Sequence, residues 1–102
     1  MKLVWSDPAV DDLGAIRDYI ARDSEHYATR FISQILEAVD RLESLPELGR
    51  QVPEATDQPN VRELLFRSYR IFYRVEAERI LILAIVHGKR DLSRGSRPWE
   101  IN

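Results

Sequence analysis

Tyr69-Arg70-Ile71-Phe72-Tyr73-Arg74-Val75 and, three residues on, Arg79-Ile80-Leu81-Ile82-Leu83-Ala84-Ile85-Val86 decide the fold. The first segment alternates, with Tyr69, Ile71, Tyr73 and Val75 on one face and Arg70, Phe72 and Arg74 on the other. That is the period of two of a β-strand. The second is an unbroken apolar run, as expected of a central strand covered on both faces. The short link at Ala77-Glu78 makes the two an antiparallel pair. Upstream, Val61 to Arg67 reads as a further strand. It joins the pair through Ser68 and completes an antiparallel meander.

Outward from the meander, residues 46–60 hold Pro46, Gly49, Pro53 and Pro59 and show no periodicity, so they are expected to form a surface loop. Before them lie two helices. Ser6-Asp7-Pro8 offers a capping side chain followed by proline in the first turn. Asp11 and Asp12 suit the positive end of that helix. Ala9, Leu13, Ile16 and Ile20 give it an apolar face at helical spacing. Asp23-Ser24-Glu25 restarts a second helix. Its stripe is Ala28, Phe31, Ile32, Ile35, Leu36, Val39 and Leu42, and Pro46 stops it. Lys2 to Trp5 is an opening strand. The expected order is β-α-α-β-β-β: one α+β domain over residues 1–102, a mainly antiparallel sheet packed against an N-terminal helical hairpin.

The 102 residues hold 44% hydrophobic and 31% charged side chains, a globular mixture with room for one modest core. There is no cysteine, which excludes disulfides and thiolate metal sites and suits a reducing cytoplasm. No secretory signal or membrane-length apolar run is present. The net charge of −2 conceals an asymmetry. Residues 1–60 carry 6 basic and 12 acidic side chains, and residues 61–102 carry 9 and 5. A basic C-terminal half can face phosphates or an acidic protein.

Several spaced elements resemble the RelE/ParE toxin superfamily, and more closely its ParE branch. They are Trp5-Ser6-Asp7-Pro8-Ala9, Asp12-Leu13, Tyr19-Ile20, Leu45-Pro46-Glu47-Leu48-Gly49-Arg50, Arg62-Glu63, Tyr69 to Val75, and Val86-His87-Gly88-Lys89-Arg90. The resemblance implies a toxin held inactive by an antitoxin encoded beside it. For the ParE branch it implies poisoning of DNA gyrase, with a ParD-like antitoxin carrying an acidic C-terminal segment. For the RelE branch it implies cleavage of mRNA in the ribosome.

Metal-free RNA cleavage needs a base on the 2′-hydroxyl, cations on the phosphate and an acid for the leaving oxygen. By resemblance, Arg70 and Arg90 stand where RelE-type toxins have sheet arginines, and Arg62 can replace one lysine. His87 is of the residue type that gives or takes a proton near neutrality. Leu64 falls where a second lysine would sit, and no tyrosine follows Arg90. The set Arg62, Arg70, His87 and Arg90 is therefore incomplete, which favours a toxin that binds over one that cuts. No cofactor is expected. The 4 glycines, at 14, 49, 88 and 95, form no phosphate loop, and His26 and His87 have no metal-ligand spacing. Asp11 and Asp12 are better explained by the helix dipole than as a metal pair.

Two surfaces follow. Lys89, Arg90, Arg94 and Arg97, in the basic tail, are the expected target-binding residues. Arg70, Phe72 and Arg74, exposed on the second strand of the meander, are the expected antitoxin-binding face, suited to an acidic, amphipathic segment that folds as it docks. An unpaired sheet edge offers that segment a second hold.

Overall fold

The computed structural model describes residues 1–93 and 95–101. Strand β1 (Lys2–Trp5) is followed by helices α1 (Asp7–Ala21) and α2 (Glu25–Asp40) and a 3-10 turn at Arg41–Glu43. Four strands follow among the described residues: β2 (Arg50–Gln51), β3 (Val61–Phe66), β4 (Tyr69–Val75) and β5 (Arg79–His87). They form one sheet in the order β1-β5-β4-β3-β2. β1 lies parallel to β5, and the other neighbours are antiparallel.

The helices begin where the caps require. Ser6 Oγ accepts from Ala9 N–H and Ser24 Oγ from Tyr27 N–H, each filling one of the orphan donors of a first turn. The α-helical part of α2 ends earlier than Pro46 dictates. It stops at Asp40, and the last turn tightens into the 3-10 form before the proline is reached. The loop expected at 46–60 contains β2, so four strands follow the helices rather than three. Two residues are too few to show periodicity.

The sheet is buried on both faces. Phe31, Ile35, Val39 and Leu42 bring the helices down on Ile71, Tyr73, Ile80 and Ile82. On the other face Phe72, Leu81, Leu83 and Val86 lie under Val52 and Ala55 of the 52–60 loop and under Leu92 and Trp99 of the C-terminal tail. β5 is thus the doubly covered central strand that its apolar run predicts.

Pairing of β1 with β5 ends at Trp5 opposite Ile82, and side chains of α1 take over the edge. Ser6 Oγ donates to Leu83 O at 3.1 Å, and Asp12 accepts from Ile85 N–H at 3.0 Å. Between them β5 holds an extra residue, since Phe72 faces Ala84 while Tyr73 faces Ile82. Asp12 is more than a dipole residue: its carboxylate continues a backbone ladder. Among the described residues no helix is long and apolar enough to cross a membrane.

Candidate functional site

Arg70 is the centre of the sheet's charged network. Its strand position turns it away from the helices, and its side chain is only 11% exposed. The Nε donates to Glu63 Oε1 at 2.5 Å, and Nη2 reaches Glu63 Oε2 at 3.1 Å. Nη1 and Nη2 also bind the two oxygens of Glu54 at 3.0 and 2.7 Å. Arg50 Nε closes the network on Glu63 at 3.0 Å. The Glu63 side chain has no solvent exposure at all. A buried carboxylate must be paired, and here two guanidiniums do it. Hydrogen bonds from Arg70 hold the Glu54 carboxyl below the usual carboxylate range. The same two carboxylates push Arg70 further towards its charged form.

The Leu45 to Arg50 element is a latch beside this network. Tyr73 Oη donates to Pro46 O at 2.8 Å and accepts from Gly49 N–H at 2.9 Å. Burial raises the Tyr73 phenol above its ordinary value, which keeps that donor protonated. A Cβ at Gly49 would lie 2.4 Å from Glu63 O, so the close approach requires glycine. Arg62 Nη1 donates to Gly49 O at 2.8 Å and belongs to this latch.

Phe72 is not on an exposed face. It is fully buried, edge-on to Trp99 with ring centroids 5.5 Å apart, because the tail folds back over this side of the sheet. The expected trio of Arg70, Phe72 and Arg74 therefore presents little of itself to a partner. Arg74 shares Glu76 with Arg79, and both pairings hold the Glu76 carboxyl low.

In the tail, Arg97 binds both oxygens of Asp57 at 2.9 and 2.7 Å, meets Glu100, and lies over the Trp99 ring at 5.2 Å. It clamps the tail to the 52–60 loop. Hydrogen bonds with Asp57 and Glu100 raise the Arg97 pKa and lower that of Asp57. Arg90 is exposed and donates to Ser96 Oγ at 3.0 Å, and Lys89 is exposed with its ammonium unpaired among the described residues. Arg94 lies outside the described residues. His87 is exposed at the end of β5, where its Nδ1 accepts from Lys89 N–H at 3.1 Å and its ring meets Tyr69 edge-on.

The structure places Arg62, paired with Tyr73, on the helix-covered face and Arg70, beside Phe72, on the tail-covered face, and leaves His87 beyond the hydrogen bonds of both. No cluster of potential metal ligands occurs among the described residues. The partners Glu54, Glu63 and Asp57 were not foreseen from the sequence. One signal was present: Glu63 shares strand parity with Val61 and Leu65, so a lone carboxylate stands on an otherwise apolar row.

This fold with these sheet arginines defines a class, the small toxins of the RelE/ParE superfamily. The family model described as the ParE toxin of type II toxin-antitoxin system, parDE, matches residues 3–92, and the chain belongs to that family. It is similar to toxin RelE2 of Caulobacter vibrioides, 38% identical over 90 residues that cover 87% of this chain and 97% of the relative. Toxin ParE3 of the same organism is 25% identical over 93 residues, 90% of this chain and 91% of the relative. A chain of the chromosomal ParDE TA system from P. aeruginosa superposes with a TM-score of 0.72 at 32% identity. That match covers 85% of this chain and 95% of the other.

Proposed function

We propose that this type II toxin acts in the cytoplasm by binding and poisoning DNA gyrase, and does not cut mRNA. The observation that carries the reading is the double capture of Arg70 by Glu54 and Glu63. A guanidinium that spends four of its five N–H donors on two carboxylates, with its charge already matched, has little left to offer a phosphate. Drawing it off would leave Glu63 buried and short of a cation, at a cost of about 3–5 kcal/mol. The rest of the RNase set is also committed or missing: Arg62 holds Gly49 O, Leu64 is buried, and no tyrosine follows Arg90. The relatives carry both names, RelE2 and ParE3, and the commitment of Arg70 to two carboxylates supports the binding reading.

Among the described basic residues of the tail, Arg90 and Lys89 have no carboxylate partner and can meet a target. A ParD-like antitoxin neutralises the toxin with an acidic, amphipathic segment. Two edges can seat it, the outer side of β1 and the part of β3 beyond Glu63, where two-residue β2 no longer pairs and Leu65 is 57% exposed.

Expression in cells tests the target. Filamentation with DNA damage supports the gyrase reading. Rapid arrest of translation, with ribosome-dependent mRNA cuts lost in Arg90→Ala and in the conservative Arg70→Lys, overturns it. Arg90→Ala is expected to lower toxicity without moving the melting temperature. Arg97→Ala lowers the melting temperature instead. Mixing the toxin with the product of the adjoining gene should raise its melting temperature and give a complex on gel filtration.

A further inference from the structure

Where the β3–β4 turn meets the end of β5, a cavity of about 300 Å³ is lined by Arg67, Ser68, Tyr69, His87, Gly88 and Lys89, together with Leu65 and Arg70. None of these residues carries a carboxylate. The turn and the strand end are pressed together. Gly88 N–H donates to Ser68 O at 2.7 Å, and a Cβ at Gly88 would come within 3.2 Å of that oxygen. Glycine at position 88 lets the two segments close around the space.

The donors around it are unspent. Among the described residues Lys89 Nζ, Ser68 Oγ and Tyr69 Oη have no hydrogen-bond partner in the protein. His87 accepts at Nδ1, so its ring proton sits on Nε2, which is also free. Arg70 adds little, because Glu54 and Glu63 balance it. Arg67 adds a cation that no carboxylate matches: its guanidinium bonds the neutral Gln34 and stacks over Phe31 and Phe66, at 5.7 and 5.4 Å. Arg67 also holds a left-handed φ of 51°. A non-glycine residue adopts that conformation at a cost, and such strain gathers at functional positions.

We propose that this cavity binds a phosphate group. An ammonium, an imidazole and two hydroxyls supply more donors than the two coplanar oxygens of a carboxylate accept, and they suit the tetrahedral oxygens of a phosphate. Exposed Leu65 at the rim gives the attached organic group an apolar surface. Arg62 and Arg90 do not line the cavity. The site holds whether the target presents DNA or RNA, so it does not rest on the gyrase reading. The phosphate comes from a nucleic-acid backbone or from a small phosphate ester.

The full-length chain is titrated with inorganic phosphate while the ring signals of His87 and His26 are followed by NMR. A short labelled oligonucleotide, single-stranded and as duplex, is titrated in parallel by fluorescence anisotropy. Phosphate should move His87 saturably and leave His26, outside the cavity, in place. Lys89→Gln, at an exposed position and checked for fold by circular dichroism, should weaken both ligands about tenfold and reduce the salt slope of oligonucleotide binding by about one. Lys2→Gln, at the opposite end of β5, should change neither. Tighter binding of the oligonucleotide than of phosphate identifies the backbone as the source, and equal binding identifies a small ester. The site is refuted by an unmoved His87, by Lys89→Gln binding as the wild type does, or by polyglutamate binding as tightly as the oligonucleotide.

Discussion

Arg70 shows how one residue can be legible in sequence and its role still not follow. Its strand position and outward parity are readable from the alternation at Tyr69 to Val75. Its partners are not, because Glu54 lies in a loop without periodicity and Glu63 pairs across strands. Once the partners are seen, the residue becomes structural. Arg70→Gln should cost about 3 kcal/mol, since it strips a buried carboxylate of its main cation. Arg50→Gln should cost less than about 1 kcal/mol, because that side chain is 59% exposed. Urea denaturation of the two variants checks the ranking, and equal losses would show that Arg70 is not the main support of Glu63. Gly49 is a second case. Its place in a Leu-Pro-x-x-Gly-Arg element carries resemblance, but its reason is the Tyr73 hydroxyl and the Glu63 carbonyl packed against it. Gly49→Ala should lose about 2–3 kcal/mol in the same measurement.

Helix α1 carries two features that each lower stability at neutral pH. Gly14 is exposed within the helix, has no positive φ, and an added Cβ there would meet nothing within 4 Å. Gly14→Ala should therefore stabilise the protein by about 1 kcal/mol, read as a higher denaturation midpoint. Asp12, on the same helix, is held above the usual carboxylate range chiefly by burial, against the opposing pull of the Ile85 N–H and of Arg90. Its folded pKa thus exceeds its unfolded one. Stability from this group is complete below the unfolded pKa and is lost as pH rises through the folded pKa. Asp12→Asn keeps an acceptor for Ile85 and has no charge to desolvate. It should match or exceed the wild type in melting temperature at pH 7 and lack that group's decline between acid and neutral pH. A variant that melts lower at pH 7 on an unchanged pH profile would contradict this. The caps of both helices were legible because Ser6 and Ser24 act on neighbours three residues on. The tie of Asp12 to Ile85 was not, because 73 residues separate them.

Across the whole molecule, the layered order of helices on a meander was readable from periods of 3.6 and 2. The second cover of the sheet was not. The tail reads as basic and polar, and its apolar anchors, Leu92 and Trp99, are too far apart to form a pattern. Trp99 is nevertheless among the largest buried side chains, 1% exposed against Phe72. Trp99→Ala should cost about 3–5 kcal/mol, a fall in melting temperature of well over 10 °C for a domain of this size. Little change would mean that the tail lies loosely on the sheet. The parallel pairing of Lys2–Trp5 with Arg79–Ile82 has its own consequence, in the order in which the chain is made. The first strand to leave the ribosome must wait for nearly the last before it has a neighbour. A nascent chain can form its helical hairpin early, but the sheet cannot close on β1 until β5 has emerged, and such long-range closure is the slow kind. Until then the apolar faces of the unfinished sheet stay open to a partner that binds the chain before it closes.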